Sequence, residues 1–123
     1  MKITATQRAN LNFIRGYAPG EIRIGEQSIH SNCLVTANQL ITDWQANDAA
    51  TLSLAHLEPM LALKPEIVVL GTGERQQFPP AEIYAALLSR RIGFEVMDLG
   101  AACRTFNVLL SEDRSVLAAL LLK

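Results

Sequence analysis

Polar and apolar residues alternate over short stretches in the first third of the chain. Residues 11–17 are rich in aromatic and branched side chains and stop at Ala18-Pro19-Gly20, and residues 21–24 and 28–30 flank a turn at 25–27. Alternation with a period of two is typical of strands with one solvent-facing side, and Pro and Gly mark the turns between them. The pattern predicts an N-terminal antiparallel hairpin region, then short strands at 33–36 and at 39–44, the latter carrying Trp44.

The period changes after Gln45. Apolar residues between 52 and 63 recur at helical spacing, with Thr51 or Ser53 as a possible cap and Pro59 either bending the helix or lying near its first turn. Residues 67–70 then form a continuous apolar run, which is typical of a strand buried on both faces in a parallel sheet. The sequence therefore predicts a helix followed by an interior strand.

The strand at 67–70 is predicted to begin a strand-helix-strand unit that runs from Ile67 to Met97. Its helix starts near Pro79-Pro80, has Glu82 in its first turn and Arg90-Arg91 in its last, and is stopped by Gly93 before a strand at 94–97. Such units are parallel and right-handed in nearly all sheets. A third helix is predicted from Gly100, then a turn at 111–114, and the apolar tail 116–122 is compatible with helix or strand, its shortness favouring a strand.

Size and charge restrict the class of protein. The chain has 123 residues, half of them hydrophobic, and a formal charge of -1, so we expect one domain over residues 1–123 and no nucleic-acid partner. No stretch approaches the ~20 apolar residues of a membrane span, so no membrane insertion is expected. Lys2, Arg8 and Arg15 faintly resemble a transit peptide, but residues 11–17 fit a first strand better.

Two loops are expected to meet at one edge of the sheet. In an open parallel sheet, ligands bind outside the carboxyl ends of the strands, which here are the loops after Leu70 and after Met97. Gly71-Thr72-Gly73 resembles the start of a dinucleotide fingerprint, but Gln76 stands where the third glycine belongs, and Asp98 lies roughly where a ribose-binding acid would. A tight turn is the favoured interpretation, while a small anion held by backbone N–H groups and Arg75 stays open.

The cysteines give one chemical alternative. Cys33 and Cys103 lie seventy residues apart, so reduced thiols in a reducing compartment are expected rather than a disulfide. Cys103 lies near a helix start beside Arg104, and both features would lower a thiol pKa. No base is placed beside it, so a buried packing role is favoured over a thiol-dependent enzyme that uses Cys103 with Arg75 and Arg104.

Polar residues continue into the third helix. Thr105 and Asn107 could bond to nearby backbone, and Arg104 could pair with Asp98 or Glu95, so a structural network and a ligand site are equally compatible with the pattern. His30 and His56 lack metal-ligand spacing, no metal or cofactor is expected, and Trp44 and Phe78 are expected in the core. The candidate ligand-binding residues are Gly71, Thr72, Gly73, Arg75, Asp98, Cys103, Arg104, Thr105 and Asn107.

Three motifs together carry a family resemblance. Gly71-Thr72-Gly73 after an apolar strand, residues 93–97, and residues 102–107 with a closing Glu112-Asp113-Arg114 resemble the Mth-type domain family that includes mitochondrial complex I assembly factor 3. The resemblance runs from about Leu11 to Leu122 and implies a three-layer α/β fold with a mixed central sheet whose last strand is antiparallel to its neighbours.

The same resemblance bears on function. The family has no established enzymatic activity, and its mitochondrial members are implicated in assembling the peripheral arm of complex I through protein contacts. It therefore implies a non-catalytic binding or assembly factor, a monomer or small homo-oligomer, whose partner is another protein. Phe106 stands where many relatives have Tyr, which removes a hydroxyl. The start of the chain suggests a bacterial, cytoplasmic member.

Overall fold

The structure is a computed structural model that describes residues 10–123. One antiparallel sheet has the order β1-β2-β3 and a five-stranded sheet has the order β5-β4-β8-β6-β7. The strands are β1 (Ile14–Ala18), β2 (Glu21–Ile24), β3 (Gln27–Ile29), β4 (Cys33–Val35), β5 (Leu40–Ile41), β6 (Ile67–Thr72), β7 (Gly93–Met97) and β8 (Val116–Leu121). The helices are α1 (Leu54–Ala62), α2 (Ala81–Ser89) and α3 (Leu99–Ser111).

The last strand, β8, lies at the centre of the larger sheet and is buried along its whole length. Val116, Ala118 and Leu120 face a core shared with α3 and the three-stranded sheet. Leu117, Ala119 and Leu121 face the opposite core, which α1 and α2 cover. The molecule is therefore a three-layer α/β fold with a mixed central sheet, as expected.

The direction of β8 differs from the expectation. It is antiparallel to β4 but parallel to β6, so the expectation that it opposes both neighbours was wrong. The reason is the connection, because α3 carries the chain back across the sheet from β7 and a crossover helix returns the strand in the same direction. The strand-helix-strand unit from β6 to β7 is parallel, as predicted.

Most predicted elements are present, but some of their ends differ. The hairpin of β2 and β3 is confirmed, whereas the strand predicted at 39–44 contracts to Leu40–Ile41. Trp44 lies beyond it, buried as expected, and its indole Nε1 donates to the His56 carbonyl at 3.0 Å. Phe78, which was expected in the core, is 64% exposed in the loop before α2.

Helix α1 starts at one of the two predicted caps, whereas helix α2 ends earlier than predicted. Ser53 caps α1, and its backbone N–H donates to Nδ1 of His56 at 3.0 Å, while Pro59 lies inside the helix. Helix α2 ends at Ser89, so Arg90 and Arg91 follow the helix instead of forming its last turn. Arg91, with a positive φ of 58°, rather than Gly93, reverses the chain before β7.

The N-terminal basic residues and the helix lengths bear on the remaining two expectations. Of the basic residues that faintly resembled a transit peptide, Arg15 lies in β1, and Lys2 and Arg8 lie outside the described residues. Within residues 10–123, no helix is both long enough and apolar enough to cross a bilayer.

Gly71 should be intolerant of a side chain, because it lies where α3 approaches the sheet. A Cβ there would lie 2.9 Å from Cβ of Ala102 and 3.1 Å from Cδ2 of Leu120. We expect Gly71→Ala to lower the free energy of unfolding by about 1–3 kcal/mol, the range for overpacking a core. Urea denaturation followed by circular dichroism measures this change.

Gly93→Ala is the matched control, because the nearest atom to its added Cβ would be Cγ1 of Ile67 at 3.4 Å. It should change the unfolding free energy by less than about 0.5 kcal/mol. Equal losses in the two variants would contradict the close approach of α3 to β6.

Candidate functional site

The loops after β6 and β7 meet at the carboxyl edge of the sheet. The Leu99 N–H donates to the Gly73 carbonyl at 2.7 Å. The Thr72 hydroxyl donates to the Arg75 carbonyl at 2.6 Å and lies 3.3 Å from the Met97 carbonyl, while it accepts the Gln77 N–H at 2.9 Å. The expected juxtaposition of the two loops is therefore confirmed, and Thr72 fastens them together.

A cleft of about 360 Å³ opens where these loops face the turn between β1 and β2. We call it the rim cleft, and its main walls are Tyr17, Pro19, Gly73, Glu74, Asp98, Gly100 and Arg104. A neighbouring cavity of about 330 Å³ shares Pro19, Glu74 and Leu122 with it, so the two form one groove around the turn.

Tyr17 and Arg104 form one wall of the rim cleft. The Tyr17 ring lies on Gly100, where a Cβ would come within 2.8–3.0 Å of three ring atoms. The Arg104 guanidinium donates to the Tyr17 hydroxyl and its Cζ lies 5.9 Å from the ring centroid. Gly100 thus allows an aromatic ring to lie against the first turn of α3, and Arg104 holds its hydroxyl end.

The opposite wall carries carboxylates. Asp98 caps α3, because its Oδ1 accepts the Ala101 N–H at 2.9 Å. Glu74 is exposed in the turn that follows Gly73, whose φ of 78° suits glycine. The rim cleft therefore presents an aromatic ring, a guanidinium and two carboxylates to the same space.

The structure divides the candidate residues into three groups. Gly73, Asp98 and Arg104 line the rim cleft, and Arg75 is exposed on the loop beside it. Gly71, Thr72 and Cys103 are buried beneath it. Thr105 and Asn107 lie further along α3 and are half-buried. Arg104 pairs with Tyr17, so the expected pairing with Asp98 or Glu95 was wrong.

Tyr17 and Gly100 are site residues that were not predicted. The available signal was weak: Tyr17 directly precedes the Ala18-Pro19-Gly20 turn, and Gly100 is a glycine at a helix start. Neither pattern reveals that a hairpin turn from the other sheet reaches over α3.

Both cysteines are free and buried in the core beneath α3. Burial raises the pKa of the Cys103 thiol to about 12, although the Arg104 cation lowers it in part. Burial, with a contribution from Cys103, raises the pKa of Cys33 to about 12 as well. Arg104 therefore acts on the Cys103 pKa in the expected direction, but the expected net lowering was wrong because burial outweighs it. The buried position of Cys103 agrees with the favoured packing role.

Asn107 joins α3 to β1 rather than bonding locally. Its Oδ1 accepts the Ile14 N–H at 2.9 Å, and its Nδ2 donates to the Ile14 carbonyl at 2.8 Å. The amide thus completes the backbone pairing at the free edge of β1, as a neighbouring strand would. It holds the three-stranded sheet, and with it Tyr17, against α3.

The comparisons with known proteins agree with this architecture. Residues 14–121 match the family described as "Protein of unknown function (DUF498/DUF598)", and the chain belongs to that family. It is an Mth-type α/β family that includes complex I assembly factor 3.

Two relatives show the range of names in the family. The chain is 34% identical over 110 residues to NADH dehydrogenase [ubiquinone] 1 alpha subcomplex assembly factor 3 of Danio rerio, a match covering 88% of this chain and 63% of that protein. It is 32% identical over 108 residues to a 13 kDa major membrane protein of Francisella tularensis, covering 85% of each. The chain thus spans less than two thirds of the zebrafish assembly factor.

Solved structures confirm the fold. An NMR structure of a Xanthomonas campestris protein has 38% identity and a TM-score of 0.82, covering 89% of this chain and 83% of that one. A solution structure of a Mth938-like domain from Bordetella pertussis has 25% identity and a TM-score of 0.80, covering 99% and 92%.

Removing the Asn107 amide should detach β1. Asn107→Ala leaves the Ile14 N–H and carbonyl without their partner, and we expect a loss of about 1–3 kcal/mol in unfolding free energy. Amide hydrogen exchange across β1 and β2 should accelerate more than exchange in β6. Asn107→Asp keeps the acceptor and loses the donor, so full retention of stability in that variant would contradict the two-bond arrangement.

The raised pKa values of the two thiols predict a loss of stability at alkaline pH. Their pKa values are raised from 9.0 to about 12 in the folded protein, so the neutral forms stabilise the fold below pH 9 and this contribution falls as pH rises towards 12. The two thiols together should lower the free energy of unfolding by roughly 1–3 kcal/mol per pH unit in that interval. Urea midpoints measured between pH 8 and 11 test this.

The double variant Cys33→Ala, Cys103→Ala is the control, because it retains every other group that titrates in this range. Its stability should fall less steeply than that of the wild type between pH 9 and 11. Parallel pH profiles, or rapid alkylation of the native wild type at pH 8, would show that the thiols are accessible.

Proposed function

We propose that this chain is a non-catalytic binding protein that supports assembly of NADH dehydrogenase through protein contacts. The observation that carries the proposal is the identity with the zebrafish assembly factor, which extends over 88% of this chain. The shared region includes both loops and the helix that form the rim cleft, because it covers nearly all of the described fold.

The rim cleft supports protein contact as the mode of action. Tyr and Arg are enriched among residues that dominate binding energy at protein interfaces. Tyr17 is 46% exposed, yet it is held in place by Gly100 and Arg104, so little side-chain entropy would be lost on binding. We include Gly73, Arg75 and Asp98 in the proposed contact surface because they lie on the same loops.

The thiol-dependent alternative has less support. A nucleophilic cysteine needs an accessible thiolate near neutral pH. Cys103 is 1% exposed with a pKa raised by burial to about 12, and His56, a possible base, already accepts a hydrogen bond at the start of α1. We therefore assign no chemical role to Cys103 in this proposal.

Deletion of the gene in the source organism tests the proposal. The amount of assembled NADH dehydrogenase, measured by native gel electrophoresis with in-gel activity staining, should fall in the deletion strain and return with the wild-type gene. The thiol-free variant Cys33→Ala, Cys103→Ala should also restore it, whereas the cleft variant Tyr17→Ala, Arg104→Ala should restore less than half.

Normal assembly of the dehydrogenase in the deletion strain would contradict the proposal. Failure of the thiol-free variant at normal protein abundance would instead favour thiol chemistry. Immunoblotting of each variant establishes that abundance.

A further inference from the structure

Strand β7 is an edge strand of the five-stranded sheet, and its one neighbour in that sheet is β6. The Gly93 N–H donates to the Glu66 carbonyl at 2.9 Å, so Gly93 directs its backbone towards β6. Because successive residues of a strand direct their backbone groups to opposite sides, Glu95 and Met97 also face β6, whereas Phe94 and Val96 face outward. The outer edge of β7 therefore carries strand donors and acceptors.

One of these outward groups already has a partner. The Gln76 side chain donates its Nε2–H to the Val96 carbonyl at 2.8 Å from an exposed position on the rim loop. The Phe94 N–H, the Phe94 carbonyl and the Val96 N–H remain directed away from the sheet. β7 has neither the lysine nor the proline with which many edge strands prevent pairing.

The two faces beside this edge differ in character. On the α2 side, the Tyr84 and Phe94 rings pack edge to face with centroids 5.1 Å apart. Leu88, one turn beyond Tyr84 on the same side of α2, is 75% exposed. On the α3 side, Glu95 is exposed and is in register with Val69, whose side chain belongs to the α3 core. A strand added at this edge would contact the apolar side chains of Tyr84 and Leu88 on one face of the sheet and the Glu95 carboxylate on the other.

This arrangement disfavours a second copy of the chain as the occupant. The antiparallel register that pairs all of β7 with itself places Phe94 opposite Val96 and therefore Glu95 opposite Glu95. Like charges directly opposite one another destabilise a strand pair. Complementary charge instead requires a basic side chain opposite Glu95.

We propose that the outer edge of β7 binds an extended segment of a partner protein as a sixth strand. The segment has apolar side chains on the face towards Tyr84 and Leu88 and a basic side chain opposite Glu95. Backbone hydrogen bonds to Phe94 and Val96 hold it, and the Gln76 amide gives way at the Val96 carbonyl. This inference rests on the proposed function, since it names a second surface, beside the rim cleft, through which such a partner binds.

The test uses a synthetic peptide of the required pattern, acetyl-Thr-Lys-Val-Lys-Val-Lys-Thr-amide, titrated to millimolar concentration into the ¹⁵N-labelled chain. The Phe94 and Val96 amide signals should shift most, and their hydrogen exchange should slow at least tenfold at saturation. A copy of the peptide with glutamate in place of lysine should bind at least tenfold more weakly.

Glu95→Lys should reverse this preference between the two peptides, by at least tenfold in each direction. Glu26→Lys, at an exposed position in the turn between β2 and β3, is the matched control and should leave the preference unchanged. Retained exchange protection in β6 shows that Glu95→Lys is folded.

Absence of slowed exchange at Phe94 and Val96 with either peptide would overturn the inference. Slow exchange at these amides without peptide, together with a dimer mass by light scattering, would overturn it in favour of self-pairing. Either result combined with normal rescue of dehydrogenase assembly by the wild-type gene would leave the proposed function standing. Failure of rescue together with peptide binding at β7 would reject the proposed function alone.

Discussion

The burial of β8 on both faces is the constraint on which the rest of the structure depends. A strand in that position must be apolar at every residue, and residues 116–121 meet the condition. Its middle residues, Ala118 and Ala119, are small, and they pair with β6 on one side and β4 on the other. The strand therefore joins the parallel part of the sheet to the antiparallel part, and both cores are built on its side chains.

The position of α3 follows from that core. Gly71 and Ala102 let the helix approach β6 closely, and the Asp98 cap with the bond from Leu99 to Gly73 fixes where it begins. Asn107 then holds β1 against the same helix. As a result, the Tyr17 ring lies on Gly100 and forms one wall of the rim cleft. The cleft is thus a product of backbone placement, and its exposed side chains add chemistry to a shape that is already set.

The spacing of hydrophobic residues along the sequence predicted much of this fold. The continuous run at 67–70 identified an interior strand, because a polar residue would be too costly at such positions. The run at 116–122 was compatible with helix or strand, and only its shortness favoured the strand that is observed. The direction of β8 relative to β6 could not be read in the same way, since burial is the same for either direction. The family resemblance gave the three layers correctly, but it gave the wrong direction for β8 relative to β6.

Side-chain placement was less predictable, because it depends on contacts distant in sequence. Asn107 and Ile14 are 93 residues apart in the sequence, and local propensity suggested a local partner instead. Phe78 is apolar yet 64% exposed in the loop before α2, and its apolar character alone does not reveal this. For Cys103, the cost of desolvating a thiolate exceeds the attraction of the Arg104 cation. A local motif does not show how deeply a side chain is buried, so the direction of the Cys103 pKa shift could not be obtained from its sequence neighbours.

The proposed function requires the rim of the sheet to be a surface for protein contact. The most direct measurement is photo-crosslinking in cells of the source organism, with a benzophenone amino acid replacing Tyr17 and, separately, Glu26 as a control on the far turn. The account predicts that the Tyr17 position yields covalent adducts with subunits of NADH dehydrogenase, identified by mass spectrometry, and that the Glu26 position does not. Adducts with the same proteins and the same yield at both positions, or no protein adduct at Tyr17, would contradict it.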